Sequence, residues 1–384
     1  MTGVSGRTSI RYLPISDVSR TVSPKTKVKS RDYLQEGKYP IIDQGSSFIG
    51  GYTNEESAFA EDEYIVFGDH TCVVKFIDFP FVQGADGVKV IVANKEIVLP
   101  KYLYYCMDNI KMDADYSRHW SKMRSTAIPV PSLDIQKEIV RKLDCFSSII
   151  LKLEEELTLR KMQFQYYIDK MYGTGNNSQE LLAKEAGTQI HALNEIGSFT
   201  RGKRFVKADS VEQGTPCIHY GELYTYYGTA TTKTKSYLSP NLAAKLRFAQ
   251  YGDVVIVAAG ENNVDIGVGV AWLGKEKVAV HDACYTFSHN QDPKYISYYL
   301  RSRYYHQQIK KYVAEGKICS ISSDGIGKAR LPVPPIERQH EIVKQLDLFD
   351  SLCNSDTVGI PAEIAERKKQ YQYYRETLLS FMEG

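Results

Sequence analysis

The chain has 384 residues, of which 43% are hydrophobic and 24% charged, with a formal net charge of +2. That length exceeds one ordinary domain, and the composition is that of a globular protein rather than a disordered or fibrous one. No apolar run approaches the roughly 18 residues a membrane helix needs, and MTGVSGRTSI at the start lacks an apolar signal core. Seven cysteines, an odd number with no CxxC pair, indicate neither a disulfide framework nor a zinc site. These features read as a reducing, cytoplasmic compartment.

Residues 1–128 carry 16 Lys/Arg and 16 Asp/Glu. Their β-rich run Tyr64–Phe67 and the later LPKYLYYCM at 99–107 suggest a mixed α/β segment ending near a helix. At Pro129 the pattern changes. A Pro-x-Pro block, Pro129–Pro131, opens a spacer, because proline suits the approach to a helix and not its interior. Apolar residues then recur at Ile135, Ile139, Leu143, Phe146, Ile150, Leu153 and Leu157. Steps of three and four residues make a coiled-coil-like seam. The pattern resumes at Phe164, Ile168 and Met171 and stops at Gly173, a glycine suited to a C-terminal cap. A helix over 134–171 is roughly 57 Å long at 1.5 Å per residue. The polar stretch 174–190, TGNNSQELLAKEAGTQI, reads as a linker.

A second globular segment, 191–331, carries 18 Lys/Arg against 12 Asp/Glu, a net of +6. It is the basic part of the chain, although a solvated surface explains that excess equally well. Its glycine-rich stretches GVGVAWLG at 267–274 and DGIGK at 324–328 fit neither GxGxxG nor a P-loop, and both read as turns. The tail 332–384 is acidic, with 6 against 9, and forms a second spacer helix. NSDTVGIPAE interrupts it, and Gly359 and Pro361 break the helix near 354–361.

The halves repeat one another. PVPSLDIQKEIVRKLD at 129–144 returns as PVPPIERQHEIVKQLD at 332–347, and RKMQFQYY at 160–167 as RKKQYQYY at 367–374. YPIIDQG at 39–45 echoes TPCIHYG at 215–221, and LPKYLYYCM echoes DPKYISYYL at 292–300. A repeat this long implies two equivalent halves. Each long helix has an apolar stripe in want of a partner, and a two-fold-related antiparallel pair satisfies both.

With its Pro-x-Pro, Gln, Glu-Ile-Val and Leu-Asp blocks in two copies, the chain resembles the specificity subunit of type I restriction–modification enzymes, the HsdS family. The residues carrying the resemblance are Pro129, Pro131, Gln136, Glu138, Ile139, Val140, Leu143 and Asp144, with Pro332, Pro334, Gln339, Glu341, Ile342, Val343, Leu346 and Asp347. It implies a mixed α/β (α+β) protein with two target-recognition domains, separated by two long antiparallel helices in a pseudo-two-fold internal repeat. The resemblance also implies the partners. These are double-stranded DNA, two modification (methyltransferase) subunits carrying S-adenosylmethionine, and restriction subunits using ATP and Mg2+, in a defence against foreign DNA. No cofactor is then expected on this chain. The break near Gly359 departs from a continuous second helix.

DNA reading needs two readers at a fixed separation, on the order of the 34 Å turn of the duplex. Because the two segments differ in sequence, the half-sites should differ too. In the second reader, Arg201, Lys203, Arg204 and Lys207 suit phosphates or guanine edges. His219, Tyr220, Tyr224, Tyr226 and Tyr227 offer polar and stacking groups, although some of these tyrosines must belong to a core. Asn262 and Asn263 in GENN offer bidentate contacts to adenine or simply shape a turn. In the first reader the candidates are Gln44, Ser46 and Ser47 in DQGSSFIGG, Asp69 and His70 in FGDHT, and Arg118, His119, Lys122 and Arg124. Tyr166, Tyr167, Tyr373 and Tyr374 are candidates for docking subunits, or for stapling the helices together.

Residues for catalysis are not evident. There is no Asn/Asp-Pro-Pro-aromatic motif and no HExxH, so neither a catalytic site nor a metal site is expected. Two rival readings remain: an enzyme with an unrecognised methyltransferase or nuclease site, and a coiled-coil assembly protein that binds no DNA.

Overall fold

The computed structural model describes residues 10–84, 87–112, 118–172 and 187–381. The expected cap at Gly173 and most of the expected linker, 174–186, lie outside the described residues. The fold is mixed α/β, with two compact units joined by a long helix. One unit is Met1–Glu154 with Glu363–Gly384, and the other is Glu155–Ala362. The helix Leu133–Tyr172 runs on through the boundary. A division into recognition domains and spacer helices therefore differs from the compact units, because each unit takes in part of both long helical regions.

In the first unit a four-stranded sheet orders its strands Ser19–Val22, Val88–Ala93, Tyr64–Gly68 and Val74–Ile77. A three-stranded sheet places Tyr39–Ile42 between Gly51–Thr53 and Val82–Gln83. In the second unit two five-stranded sheets are centred on Val254–Val257 and Thr215–Ile218. Residues 65–67 and 254–257 are buried without alternation, as expected of strands covered on both faces. The pairing of Tyr39–Ile42 with Val82–Gln83 is parallel, and so is that of Thr215–Ile218 with Val278–Val280. The YPIIDQG and TPCIHYG echo therefore marks equivalent strands.

The Pro-x-Pro blocks belong to the globular domains and not to the spacers. Ala127–Val130 pairs antiparallel with Arg11–Pro14, and Arg330–Val333 with Gln189–Ala192. Each is a two-stranded sheet with free edges, where a proline lacking its N–H is tolerated. The last two residues of the expected linker, Gln189 and Ile190, are in strand. GVGVAWLG is also not a simple turn, since Gly269–Trp272 is a buried strand. A Cβ at Gly269 would lie 2.4 Å from Leu300 Cδ1, so glycine there admits a helix against the sheet. DGIGK likewise forms part of the helix Ser323–Gly327.

The repeated blocks fit together as one structural device. Gln136 is fully buried; its Nε2 donates to the carbonyls of Ile97 and Pro131, at 3.0 and 2.9 Å, and its Oε1 accepts from Leu99 N–H at 2.8 Å. Gln339 does the same in the second unit, with Gln291 Oε1, the Pro334 carbonyl and Asp292 N–H. Tyr102 donates to the Pro129 carbonyl and Tyr295 to that of Pro332. Tyr105 and Lys101 both reach Asp144, and Tyr298 and Lys294 both reach Asp347. The Pro-Lys-Tyr helix and the Pro–Gln–Asp block thus lock each domain to the start of its long helix. Ile135, placed on the seam by periodicity, is 41% exposed because Gln136 takes the inward position.

Within each unit the long helices pack antiparallel. In the first, Phe146 stacks on Tyr374 at 5.0 Å and Glu154 pairs with Lys368, so one index rises as the other falls. In the second, Phe164 and Tyr167 meet Phe349, while Cys353 feels the charges of Lys161 and Arg160. The second spacer is two helices, Ile336–Asn354 and Ile360–Ser380. Gly359 between them has φ +89°, and a Cβ there would lie 2.5 and 2.7 Å from the carbonyl oxygens of Ser351 and Leu352. Those oxygens are backbone and cannot swing aside. Gly359→Ala is expected to cost about 2 kcal/mol or more, seen as a lower denaturation midpoint; an unchanged midpoint would show that the turn is not constrained.

Candidate nucleic-acid interface

In each domain, loops that follow equivalent strands converge. In the first, Asp69 N–H donates to the Gly87 carbonyl, and His70 N–H reaches Gln44 Oε1 at 3.4 Å. Thr71 Oγ1 donates to the Gln44 carbonyl at 2.6 Å. Buried Asp69 also accepts from His119 N–H on its carbonyl and from Trp120 N–H on Oδ1. Gln44, His70 and Arg118 are thereby gathered at one end. Ser46 and Ser47 are exposed on the Gln44 loop, and Lys122 and Arg124 are exposed on the helix Trp120–Ser125 that follows Arg118 and His119. Pattern reading missed Lys75, which lies inside that loop, 4% exposed. Its Nζ donates to the carbonyls of Asp43 and Ser47 at 2.9 and 2.6 Å. Burial pulls the Lys75 ammonium below its ordinary pKa, while the Asp43 carboxylate opposes that shift. Lys75 positions the loop rather than facing a ligand.

In the second domain the same loop ends form a cleft of about 620 Å3. Ala258 and Ala259 N–H both donate to the Ala283 carbonyl, closing two loops on each other, and Ala259–Gly260 pairs with Cys319–Ser320. The cleft gathers Arg204, Lys207, His219 and Tyr220 from among the candidates, and adds Glu261, His281 and Lys317. Arg204, Lys207 and Lys317 make no side-chain hydrogen bond or ion pair among the described residues, which leaves their charges available. The rings of His219, Tyr220 and His281 lie 4.5–5.3 Å apart and form its aromatic wall.

The remaining candidates have other duties. Arg201 Nε donates to the Asp282 carbonyl and Lys203 Nζ to that of Lys245, both at 2.9 Å. Asn262 Nδ2 donates to Asp265 and Asn263 Nδ2 to Glu315, so both amides are occupied in shaping the turn. Tyr227 is a core residue: it is 7% exposed, and its hydroxyl bonds Glu222 and accepts from Lys235 N–H. Tyr224 packs partly buried against the core, and Tyr226 is exposed beside Lys235. Of the repeated tyrosines, Tyr167 and Tyr374 lie on the helix pairs, whereas Tyr166 and Tyr373 are 60% and 64% exposed.

Burial holds both His219 and His281 below the ordinary imidazole pKa, and the facing His219 pushes His281 further in that direction; Glu222 and Asp282 act against the shifts. His289, partly buried against Phe287 with its Nε2 enclosed, is pulled down to about 4. As pH falls below about 6.5, the unfolded chain binds protons that the folded chain refuses. For His289, stability present above pH 6.5 should therefore be lost toward pH 4, at up to about 1.4 kcal/mol per pH unit, and His219 and His281 act in the same direction. Denaturation at pH 7.5 and 5.0 should show the loss, and His289→Phe should reduce the slope. Equal slopes would remove His289 from the account.

No helix among the described residues is long and apolar enough to cross a membrane, and those residues contain no His/Cys/Asp/Glu cluster able to hold a metal.

A duplicated α/β domain locked onto antiparallel helices, with its loop ends gathered, defines the class, and comparison with known proteins agrees. The family model for the type I restriction modification DNA specificity domain matches residues 12–159 and 186–366. The chain is 30% identical over 396 residues to the type I restriction enzyme EcoR124I/EcoR124II specificity subunit of Escherichia coli, covering 97% of this chain and 94% of that one. It is 27% identical over 400 residues to a putative type I specificity subunit of Haemophilus influenzae, covering 97% and 96%. Among solved structures, a chain from work on assembly and conformational transition of the type I R-M system superposes with a TM-score of 0.62 at 15% identity, covering 96% of this chain and 97% of that one. The S subunit from M. genitalium gives 0.54 at 15% identity, covering 100% and 99%. Those structural likenesses speak to the fold. The chain belongs to the type I restriction–modification DNA specificity family.

Proposed function

We propose that this chain is the sequence-specific DNA-recognition subunit of a type I restriction–modification complex, reading a bipartite target with one domain per half-site. One observation carries the reading: the same loop ends converge in both halves of a duplicated fold, and in the second half they present unpaired cations beside stacking rings. Cations suit the phosphate backbone, while histidine, tyrosine and glutamine suit base edges. The two sets differ, with Gln44 and His70 in one and His219, Tyr220 and His281 in the other, so the target is asymmetric.

On this reading the chain itself is non-catalytic. S-adenosylmethionine, ATP and Mg2+ act on its partners, two modification subunits and the restriction subunits, in the cytoplasm. The relatives are named as specificity subunits, which supports this division of labour. Tyr166 and Tyr373, equivalent in the repeat and both exposed, are the aromatics offered to those partners. Purified chain titrated onto random-sequence duplex should bind with an affinity that falls steeply as salt rises. It should neither methylate nor cleave that duplex when given S-adenosylmethionine or Mg2+. Salt-independent or absent binding would favour an assembly protein, and turnover by the chain alone would make it an enzyme.

A further inference from the structure

Arg301 breaks the symmetry of the repeat. PKYLYYCMD at 100–108 aligns with PKYISYYLR at 293–301, so Arg301 stands where the first domain has Asp108. Asp108 is satisfied there by an ion pair with Arg375. The counterpart of Arg375 in the second domain, read from the 160–169 and 367–376 repeat, is Ile168. The second domain therefore holds a cation where the first holds an anion, and an apolar side chain where the first holds the answering cation.

Arg301 makes no salt bridge among the described residues. One Nη donates to the carbonyls of Gly228 and Gly269 at 2.7 and 3.3 Å, while the buried Nε–H has no partner among the described residues. Burial lowers the guanidinium pKa, with Asp350 the main attraction against it. The side chain lines two cavities of about 710 and 500 Å3, which share Gln165, Val264, Arg301 and His306. Their charged linings are Lys161, Arg301, Arg303 and Lys310 against Asp350, four positive and one negative, a net of +3 with His306 neutral. Asp169 offsets Arg303 in part, at 3.4 Å. Val264, Ile266 and Ile309 form an apolar wall of the larger cavity.

A partly buried cation with no ion pair is costly to hold, and Arg301, answered only at a distance by Asp350, lines the cavities among further cations. We infer that the double cavity is an anion site for a phosphate-bearing ligand. The phosphate oxygens take the Arg301 Nη that is not held on the Gly228 and Gly269 carbonyls, with the heads of Arg303 and Lys310, and the apolar wall faces the rest of the ligand. The larger cavity is of a size that holds a nucleotide. The phosphate belongs either to a free nucleotide or to a DNA backbone, and the chemistry that recognises it is the same. This inference does not depend on the DNA-reading proposal.

Calorimetric titration of the full chain at fixed ionic strength is the test, with inorganic phosphate, AMP and a short duplex as probes. The variants are Arg301→Met and, because Arg301 also ties two loops, the more exposed pair Arg303→Gln with Lys310→Gln. AMP is expected to bind more tightly than phosphate, and both variants to weaken it about tenfold or more, as for loss of charge-assisted hydrogen bonds. If only the duplex is weakened, the phosphate is that of a DNA backbone. The inference is overturned if folded variants bind every probe as the parent does, or if the parent binds none.

Discussion

Replacing Gln136 with leucine should destabilise the first domain by about 4 kcal/mol, because leucine fills the space but leaves three backbone groups unanswered, one buried and two part-buried, each worth about 1–3 kcal/mol. The groups are the Leu99 N–H and the carbonyls of Ile97 and Pro131. They lie in the segments that enter the Pro-Lys-Tyr helix and leave the closing strand, so the damage reaches the junction between domain and long helix. Gln339→Leu should act alike but less strongly in the second domain, where it strands two backbone groups, the Asp292 N–H and the Pro334 carbonyl, and the side-chain oxygen of Gln291. Urea denaturation and hydrogen exchange at the Leu99 amide both read the effect. A loss below about 1 kcal/mol, with the Leu99 amide still protected, would mean that water replaces the side chain and that the junction is looser than its geometry implies.

The second large effect concerns the cleft. Changing Arg204, Lys207 and Lys317 together to alanine should cut duplex affinity by about 100-fold or more and lower the salt slope by nearly 3, at about 0.9 for each phosphate no longer neutralised. These heads have no competing partner among the described residues, so the whole of each charge is available. Changing Arg201 and Lys203 should do far less, because both heads are held on carbonyls of the domain itself. The contrast guards against a trivial result, since both sets remove exposed cations from one neighbourhood. Equal losses from the two sets would mean that bulk charge, and not the cleft, drives binding.

The repeat made the architecture legible. A seam read from Ile139, Leu143 and Ile150 is buried in the structure, and so are Ile342, Leu346 and Cys353 of its second copy. Periodicity also misplaced Ile135, because a polar residue that answers distant backbone groups outranks an isoleucine for the inward position. The Pro-x-Pro blocks read as helix entries because proline fits there, but it also fits an edge strand, and the pairing partners Arg11–Pro14 and Gln189–Ala192 are remote in sequence.

The site was less legible, for a common reason. Sequence shows which groups exist, but not which are already occupied. Arg204 and Arg201 look alike in TRGKRFVKAD; only the fold shows one free and the other bonded to the Asp282 carbonyl. Tyr220 and Tyr227 sit seven residues apart, one on the cleft and one in the core. Lys75 gave no signal, because a lysine in a strand normally points to water. Lys317 and His281 come from segments far from the other cleft residues and join them only through tertiary pairing.

The most direct measurement is single-molecule methylome sequencing of a host that expresses an active cognate modification subunit, with and without this chain. An N6-methyladenine motif in two unlike halves, separated by an unspecified gap, is expected in the host that has the chain and should vanish when the chain is removed. A methylome that is the same in both strains, or a motif that is unsplit, would contradict a two-domain reader of DNA.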